Sequence, residues 1–228
     1  MNRPIRCMKE IELFSGLSDN EKEMIPKLAK SKIIKKDETL FNEGSPCDSI
    51  YLICSGKIAL TKYTEDGKKI ILDIVGEGCI LGETTIFDDM QNTFYAVAME
   101  EVFCCVCHKD DFLTLLGNPL IAVKIIAYFI NKLNSYTERL AIFTYKDVKN
   151  RVFSLLSNLA DKYSVARPDG QILDFYLSHE DISNMAGASR VMVTNVINDL
   201  KSENLIGLEG RRYIVKKPSV CKIVDRVK

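Results

Sequence analysis

Residues 177–207, with the sequence LSHEDISNMAGASRVMVTNVINDLKSENLIG, predict two short helices joined at a glycine. Ser178 is followed three residues later by Asp181, a spacing typical of the capping box that opens a helix. Gly187 supplies a sharp turn, because glycine adopts a positive φ without a Cβ penalty. Ser189 caps the second helix. The apolar positions of that helix recur at spacings of three and four: Val193, Val196, Ile197 and Leu200. The pattern predicts a helix-turn-helix.

The opposite side of the second helix carries Arg190, Val191, Thr194 and Asn195. In a helix-turn-helix, the N-terminal residues of the second helix enter the major groove of DNA. These four side chains are therefore predicted to contact bases and phosphates.

A β-hairpin with a basic edge is predicted directly after the second helix. Gly210 marks its turn, and Arg211 and Arg212 precede a short apolar run. A hairpin after the recognition helix is the order of a winged helix, whereas residues 177–207 alone are equally compatible with a helical hairpin whose polar face is merely solvated. The complete set of predicted DNA-contacting residues is Ser178, His179, Ser189, Arg190, Val191, Thr194, Asn195, Arg211 and Arg212.

The charge of the chain is divided between its two parts. Residues 1–145 hold 17 Lys and Arg against 21 Asp and Glu, a net of −4, and residues 146–228 hold 14 against 10, a net of +4. This division suits a DNA-binding module attached to a part that does not bind DNA. With 46% apolar and 27% charged residues, no apolar window of about 18 residues and no signal peptide, the chain is expected to be soluble and cytoplasmic, without a membrane partner.

Residues 33–108 predict a β domain. Eight short runs rich in β-branched and apolar residues follow one another, and glycines fall at the turns between them. Many short strands at even spacing favour an antiparallel sandwich or barrel that can hold a small ligand. Before this domain, Ser18 and Glu21 predict the start of a short helix.

The string at 104–108, Cys-Cys-Val-Cys-His, formally matches the attachment motif of a c-type haem. It lies within VFCCVCH, whose alternation predicts a β-strand. Neighbouring side chains of a strand point to opposite faces and do not converge on one cofactor. These cysteines are therefore predicted to be small buried apolar residues.

A long helix is predicted from Pro119 to about Tyr145, because the intervening residues contain neither glycine nor proline. Residues suited to a coiled-coil seam recur at alternating spacings of three and four: Val123, Ile126, Ile130, Leu133, Thr137, Leu140 and Thr144. This seam favours a parallel two-stranded coiled coil and so a homodimer. The alternative is that the same face packs on the β domain, which is expected of the end nearest Pro119.

The order of these parts, together with several strings, resembles the cyclic-AMP receptor protein and FNR (Crp/Fnr) family of bacterial transcription regulators. The matching strings are LFSGLS at 13–18, LFNEG at 40–44, SIYLICSGKI at 49–58, GETTIF at 82–87 and the helix-turn-helix itself. The resemblance covers nearly the whole chain, and the order and spacing of the strings make it specific.

The resemblance implies an α+β fold in three parts. These are an effector-sensing β-roll of jelly-roll type (1–118), a dimerisation helix (119–145) and a winged helix-turn-helix (146–228). It also implies a homodimer that binds a twofold-symmetric double-stranded DNA site, responds to a small-molecule effector in the β-roll, and contacts RNA polymerase as an activator or a repressor.

The resemblance assigns roles to positions in the second helix. Arg190 matches a position that contacts DNA in the family. Val191 stands where glutamate is common and accepts a bond from a cytosine amino group, which valine cannot do. Asn195 stands where an arginine commonly binds guanine. The predicted operator therefore differs from the usual half-site and is richer in A·T pairs, with Val191 against a thymine methyl.

The effector pocket departs from the nucleotide-binding branch of the family. Gly82 and Glu83 are retained, but the Asn-Thr-Phe sequence at 92–94 stands where that branch has Arg-Ser-Ala. A buried cyclic phosphate would then lack a charged partner, so cyclic AMP is not the expected effector. The residues predicted to line an altered pocket are Gly82, Glu83, Asn92, Thr93, Tyr136 and Thr137.

Further features of the sequence argue against some cofactors and functions and leave others open. An iron-sulfur cluster is not expected, because Cys7 is the only cysteine near the N-terminus. Haem with His108 or a cysteine as axial ligand, thiol redox sensing and an apolar organic effector all stay open.

An enzyme is not predicted, since the chain has no catalytic triad pattern, nucleotide-binding glycine loop or metal-ligand spacing. A cyclic-nucleotide-binding regulatory protein is the alternative, although it would not need residues 178–215.

Overall fold

The computed structural model describes residues 29–83, 91–145 and 147–216. The described residues form two compact units that divide between Thr137 and Glu138. The short helix predicted at Ser18 lies outside the described residues, as does the GETTIF string beyond Glu83.

The first unit contains the predicted β domain. Its strands are β1 (Ala29–Ile34), β2 (Thr39–Phe41), β3 (Ser49–Ser55), β4 (Ile58–Tyr63), β5 (Lys69–Val75), β6 (Ile80–Leu81), β7 (Tyr95–Ala98) and β8 (Val102–His108). They form two antiparallel four-stranded sheets, with the orders β1-β8-β3-β6 and β2-β7-β4-β5. The prediction of about eight short strands in a closed antiparallel fold is confirmed.

The sheet that contains β3 and β8 is buried on both faces. One face, which includes Ile53 and Cys104, packs in a core shared with residues of the other sheet. The opposite face, which includes Leu52 and Cys105, packs against helices that follow the β domain. Because side chains alternate along a strand, the apolar runs of β3 and β8 supply two cores at once.

Two helices follow the strands. The first, α1 (Lys109–Leu116), begins directly after β8 and was not predicted. The second, α2 (Pro119–Tyr145), is the predicted long helix; its 27 residues extend about 40 Å at about 1.5 Å per residue. In the described part of the chain no single helix is both long and apolar enough to cross a membrane; α1 together with Pro119–Phe143, bent by 108°, meets that requirement by length and composition.

The second unit is a winged helix. Its elements are α3 (Val148–Lys162), β9 (Ser164–Arg167), β10 (Gly170–Leu173), α4 (His179–Ala186), α5 (Arg190–Ser202), β11 (Ile206–Glu209) and β12 (Arg212–Val215). The strands form one sheet in the order β11-β12-β10-β9. The predicted helix-turn-helix, α4 and α5, and the predicted hairpin of β11 and β12 are confirmed, whereas the β9–β10 hairpin was not predicted.

Candidate functional site

The helix-turn-helix is fixed by its caps. Ser178 Oγ accepts from Asp181 N at 3.0 Å, and Asp181 Oδ2 accepts from Ser178 N at 3.0 Å, so the predicted capping box is confirmed. Gly187 ends α4 in the left-handed region, at φ 61° and ψ 41°. Ser189 Oγ accepts from Met192 N at 3.2 Å and begins α5. The hydroxyl of Ser178, which was predicted to contact DNA, thus accepts a hydrogen bond within the helix cap.

Helix α5 has one buried face and one open face. Val193 and Ile197 on the buried face are fully enclosed. Arg190 and Asn195 on the open face are exposed, and Val191 between them has 71% of its surface exposed. Val191 is therefore an exposed apolar side chain on the open face of α5.

The side chains of Thr194 and His179, both predicted to contact DNA, also contact each other. The hydroxyl of Thr194 lies 3.0 Å from Nδ1 of His179 and donates to the carbonyl of Arg190 at 3.0 Å. Burial lowers the pKa of His179 below its usual value, and the positive charges of Lys201 and Arg190 lower it further. These two predicted contact residues therefore join the start of α4 to the recognition helix.

The wing presents its arginines at the turn between β11 and β12. Arg211 and Arg212 are exposed there. The guanidinium of Arg211 lies 5.9 Å from the ring centroid of Tyr176, which is 49% exposed and precedes α4. Such a cation–π contact orients the arginine at a modest gain of about 0.5–1 kcal/mol. The sequence prediction missed Tyr176, although an exposed aromatic residue two positions before a helix cap was a usable signal.

Arg167 in the same sheet differs from the wing arginines, because its charge is already paired. Its Nη1 lies 2.5 Å from Glu209 Oε2, and its Nε lies 3.7 Å from Asp169 Oδ1. Among these three arginines, Arg167 thus has carboxylate partners within the protein, whereas Arg211 and Arg212 are exposed at the turn.

The long helix α2 carries two apolar faces. One face packs on the β-roll through Ile121, Ile125, Tyr128 and Phe129. The other is the predicted seam, which stays open in the protomer: Val123 is 65%, Ile126 58%, Ile130 53%, Leu133 65% and Leu140 69% exposed. The expectation that the end of this seam nearest Pro119 packs on the β domain is wrong, because the docked residues lie on a different side of the helix from Val123 and Ile126.

The predicted effector region is anchored to α2. Gly82 has φ +81°, and a Cβ there would lie 2.3 Å from the carbonyl oxygen of Ser49, so no other residue fits. The carboxylate of Glu83 accepts from Lys132 Nζ at 2.6 Å, and the two side chains are only 26% and 15% exposed. The hydroxyl of Tyr128 accepts from Ile80 N at 3.0 Å. Two side chains of α2 thus hold the end of β6.

Asn92 is buried and its amide is fully engaged. Its Nδ2 donates to the hydroxyl of Ser45 at 3.1 Å and to the carbonyl of the same residue at 3.3 Å, and its Oδ1 accepts from Cys47 Sγ at 3.4 Å. Thr93 is exposed, and the ring of Phe94 lies 5.7 Å from that of Phe41 in the core. This stretch offers no cation to an anionic ligand.

Of the two predicted pocket residues on α2, Thr137 is exposed and Tyr136 is half-buried. The Thr137 hydroxyl donates to the carbonyl of Leu133 at 3.0 Å within the helix. Lys132, one turn before Tyr136, contacts Glu83, and the sequence prediction missed this residue.

The cysteines of β8 diverge as predicted for a strand. Cys104 lies in the core between the sheets, whereas Cys105 and Cys107 lie in the core beneath α1 and α2. Burial raises the pKa of both Cys104 and Cys107 to about 12. His108 is at the surface, where its Nδ1 accepts from Asp110 N at 3.4 Å and caps α1. Within the described ranges no group of three or more His, Cys, Asp or Glu residues is placed to hold a metal ion.

Two family models match this arrangement of sites. A cyclic nucleotide-binding domain matches residues 31–118, and a Crp-like helix-turn-helix domain matches residues 150–220. The chain belongs to the Crp/Fnr family of transcription regulators. This Crp/Fnr regulator is a DNA-binding protein that responds to an effector, and it belongs to a family of regulators and not of enzymes.

Known Crp/Fnr regulators match the chain over most of its length. The CRP-like cAMP-activated global transcriptional regulator of Mycobacterium tuberculosis is 26% identical over 204 residues, which cover 89% of this chain and 91% of that protein. The anaerobic regulatory protein of Bacillus subtilis is 25% identical over 201 residues, which cover 87% and 84%. The solved structure of the c-di-GMP responsive global regulator CLP of Xanthomonas campestris superimposes with a TM-score of 0.73 at 17% identity, covering 88% of this chain and 100% of that chain.

Proposed function

We propose that this Crp/Fnr regulator is a cytoplasmic homodimer that binds a twofold-symmetric DNA site through α5 and the wing, under the control of a small effector other than cyclic AMP. The observation that carries the DNA-binding part is the division of α5 into a fully buried face and an open face with Arg190, Val191 and Asn195. Contact with RNA polymerase is the expected output, as is usual for regulators of this family.

The base preference follows from the open face. Valine has no hydrogen-bonding group, so Val191 favours the methyl of thymine, and the amide of Asn195 suits the donor–acceptor pair of adenine. Arg190 retains a charge for a phosphate or a guanine. We therefore propose a half-site richer in A·T pairs than the usual family half-site.

The homodimer is supported by the open seam of α2. Val123, Ile126, Ile130 and Leu133 are each more than half exposed in the protomer, and they lie on one side of a helix of 27 residues. An exposed apolar stripe of this kind is the typical seam of a two-stranded coiled coil. Two copies joined along α2 would present two recognition helices to a twofold-symmetric operator.

The effector part is supported by the chemistry around Gly82. The carboxylate of Glu83 is engaged by Lys132, and the amide of Asn92 is engaged by Ser45 and Cys47. An uncompensated buried anion costs about 3–5 kcal/mol, so a cyclic phosphate in this pocket would bind at least about a hundredfold more weakly than with a cationic partner. Two relatives at similar identity have names that refer to cyclic AMP and to anaerobic regulation. Membership of the family therefore does not determine which effector this chain binds.

Neither haem ligation by His108 nor oxidation of Cys104 and Cys107 is favoured by the geometry. His108 caps a helix at the surface instead of facing a cavity. The high pKa of Cys104 and Cys107 keeps these thiols protonated at neutral pH, and a protonated thiol is a poor nucleophile toward oxidants. We propose that the effector binds without His108, Cys104 or Cys107 acting as a ligand or as a reactive group.

The DNA-binding proposal is tested by selecting bound duplexes from a random library and measuring their affinity by fluorescence anisotropy. We expect Arg190→Ala to weaken binding to the selected duplex about tenfold to a hundredfold. Arg167→Ala is the matched control, because this arginine is paired within the protein, and it should bind nearly as the wild type does. Equal affinities for the wild type and Arg190→Ala, or selection of the usual G·C-containing half-site, would overturn the assignment of α5.

The effector proposal is tested by isothermal titration of the full-length protein with cyclic AMP. We expect no saturable heat at about 1 mM nucleotide, because the phosphate lacks a partner. Saturable binding in the micromolar range would contradict the proposal, and DNA binding in the preceding experiment would be unaffected by that result.

A further inference from the structure

His179 is placed where it can respond to a bound phosphate. It is the first residue of α4, directly after the Ser178 cap, and its ring contacts the recognition helix through Thr194. Its position at the start of a helix, beside the exposed Arg190, is on the side of the unit to which the proposed function brings the DNA backbone.

The hydrogen bonds around Thr194 assign the tautomer of the neutral ring. The hydroxyl of Thr194 has one hydrogen, which it donates to the carbonyl of Arg190 at 3.0 Å. The ring nitrogen Nδ1 of His179 lies 3.0 Å from the same oxygen, and with the Thr194 hydrogen directed to Arg190 it is the donor in that contact. The neutral ring carries its hydrogen on Nδ1, and Nε2 is left as an unprotonated acceptor.

Protonation would change only the second nitrogen. Nε2 has no hydrogen-bond partner among residues 29–83, 91–145 and 147–216. Addition of a proton leaves the bond from Nδ1 to Thr194 intact and converts Nε2 into a charged donor, the group that a phosphate oxygen accepts from most strongly. The fold of the helix-turn-helix is therefore compatible with both protonation states of His179.

The electrostatic surroundings keep the ring neutral in the free protein. Burial lowers the pKa of His179 most, and Lys201 and Arg190, both on α5, lower it further by their positive charges. Glu180 and Asp181 follow it in its own helix, and the carboxylate of Asp181 is bound by the backbone N–H of Ser178. A phosphate against the ring would add negative charge next to it and so favour the protonated ring.

We propose that His179 takes up a proton when the helix-turn-helix binds DNA, about one per protomer, so that the protein binds its operator more tightly as the pH falls. The proposal rests on the proposed function, since it requires the DNA backbone to lie against the start of α4. Proton uptake makes DNA affinity sensitive to pH near neutrality, independently of any effector in the β-roll.

The sign of the effect follows from the proton balance. Between the pKa of His179 in the free protein and its higher pKa in the complex, the complex holds more protons than the free protein, so Kd rises with pH. Below the first pKa and above the second, both states carry the same number of protons and Kd is independent of pH. The slope of log Kd against pH reaches at most about one per protomer.

The first test is a histidine-selective NMR titration of the full-length protein, free and bound to a duplex recovered by selection. The chain contains only two histidines, so His108→Gln assigns both imidazole signals without changing the DNA-binding unit. We expect the pKa of His179 to rise by one or more on binding and that of His108 to stay constant. An unchanged or lower pKa of His179 in the complex would overturn the proposal.

The second test measures Kd for the same duplex by anisotropy from pH 5.5 to 8.5 at constant ionic strength, with His179→Asn as the key variant. The asparagine amide can still donate to Thr194 but does not titrate in this range. We expect the affinity of the variant to be independent of pH, whereas that of the wild type rises as the pH falls. At pH 6, the wild type should also show a steeper dependence of log Kd on log salt, by about 0.9 per protomer.

The outcomes separate this proposal from the proposed function. Specific binding that is equally pH-dependent in the wild type and in His179→Asn would overturn the role of His179 and leave the DNA-binding assignment intact. Absence of sequence-specific binding by the wild type at every pH would overturn both.

Discussion

The ion pair between Glu83 and Lys132 is expected to contribute measurably to the stability of the first unit. A double-mutant cycle with Glu83→Gln, Lys132→Met and the double variant isolates the coupling free energy between the two side chains. The pair joins the end of β6 to the middle of α2, so its loss would loosen the docking of the long helix on the β-roll.

The magnitude follows from the geometry of the pair. At 2.6 Å, an effective dielectric constant of about 20 gives an attraction of about 6 kcal/mol. Desolvation offsets much of this, because the side chains of Glu83 and Lys132 are only 26% and 15% exposed and each ion loses several kcal/mol of hydration on full burial. We expect a net coupling of about 1–3 kcal/mol, between the values of exposed pairs and of buried pairs.

The assay is urea unfolding followed by far-UV circular dichroism at one fixed protein concentration. The matched control is the same cycle on Glu43 and Lys62, a pair at 3.1 Å with side chains 34% and 44% exposed. This exposed pair should give a coupling of about 0.2–1 kcal/mol. If the Glu83–Lys132 cycle gives no more coupling than the control cycle, the inference that this contact anchors α2 is refuted.

Three further predictions concern the seam of α2, the open face of α5 and the turn that precedes α5. Leu133→Ala should weaken dimerisation at least about tenfold, since burial of this exposed residue contributes about 1–2 kcal/mol per copy, whereas Leu113→Ala on α1 should not; sedimentation equilibrium measures both. Val191→Glu should shift the selected half-site toward a C·G pair, and an unchanged selection would contradict the placement of Val191 in the groove. Gly187→Ala should lower the free energy of unfolding by about 1 kcal/mol, because φ is +61° there and a Cβ is unfavourable in that conformation. Urea unfolding measures this change, and an unchanged free energy of unfolding would contradict the prediction.

Local signals in the sequence were sufficient for the helix-turn-helix and for the strands. The capping box at Ser178 and the left-handed position of Gly187 depend on residues within one turn, so sequence spacing predicts them directly. The exposed positions of α5 likewise follow from helical periodicity, which placed Arg190, Val191 and Asn195 opposite the buried face.

Two elements were missed for different reasons. Helix α1 has only eight residues and follows β8 without a loop, with His108 as its cap, so no break in the sequence marks its start. The β9–β10 hairpin did carry a signal: Pro168, Asp169 and Gly170 form a typical turn sequence between two short runs.

The contacts that define the effector region are beyond local sequence patterns. Glu83 and Lys132 are 49 residues apart, and Asn92 is about as far from Ser45 and Cys47. Such pairs are brought together by the packing of the sheets and of α2, and periodicity or spacing in the sequence does not predict them. The sequence could therefore predict the loss of a phosphate partner, and only the structure shows which groups occupy the region instead.

The open face of α5, which we propose to contact DNA, is distinct from the buried face that contributes to folding. Arg190, Val191 and Asn195 are exposed, so exchanging them alters the helix only through its intrinsic propensities, by a few tenths of a kcal/mol. Thr194 is the exception, because its hydroxyl bridges two helices. If α5 reads the operator as proposed, operator preference can diverge among descendants of this regulator by single substitutions that selection for stability does not oppose, and a designer seeking a new operator has the same three positions to vary.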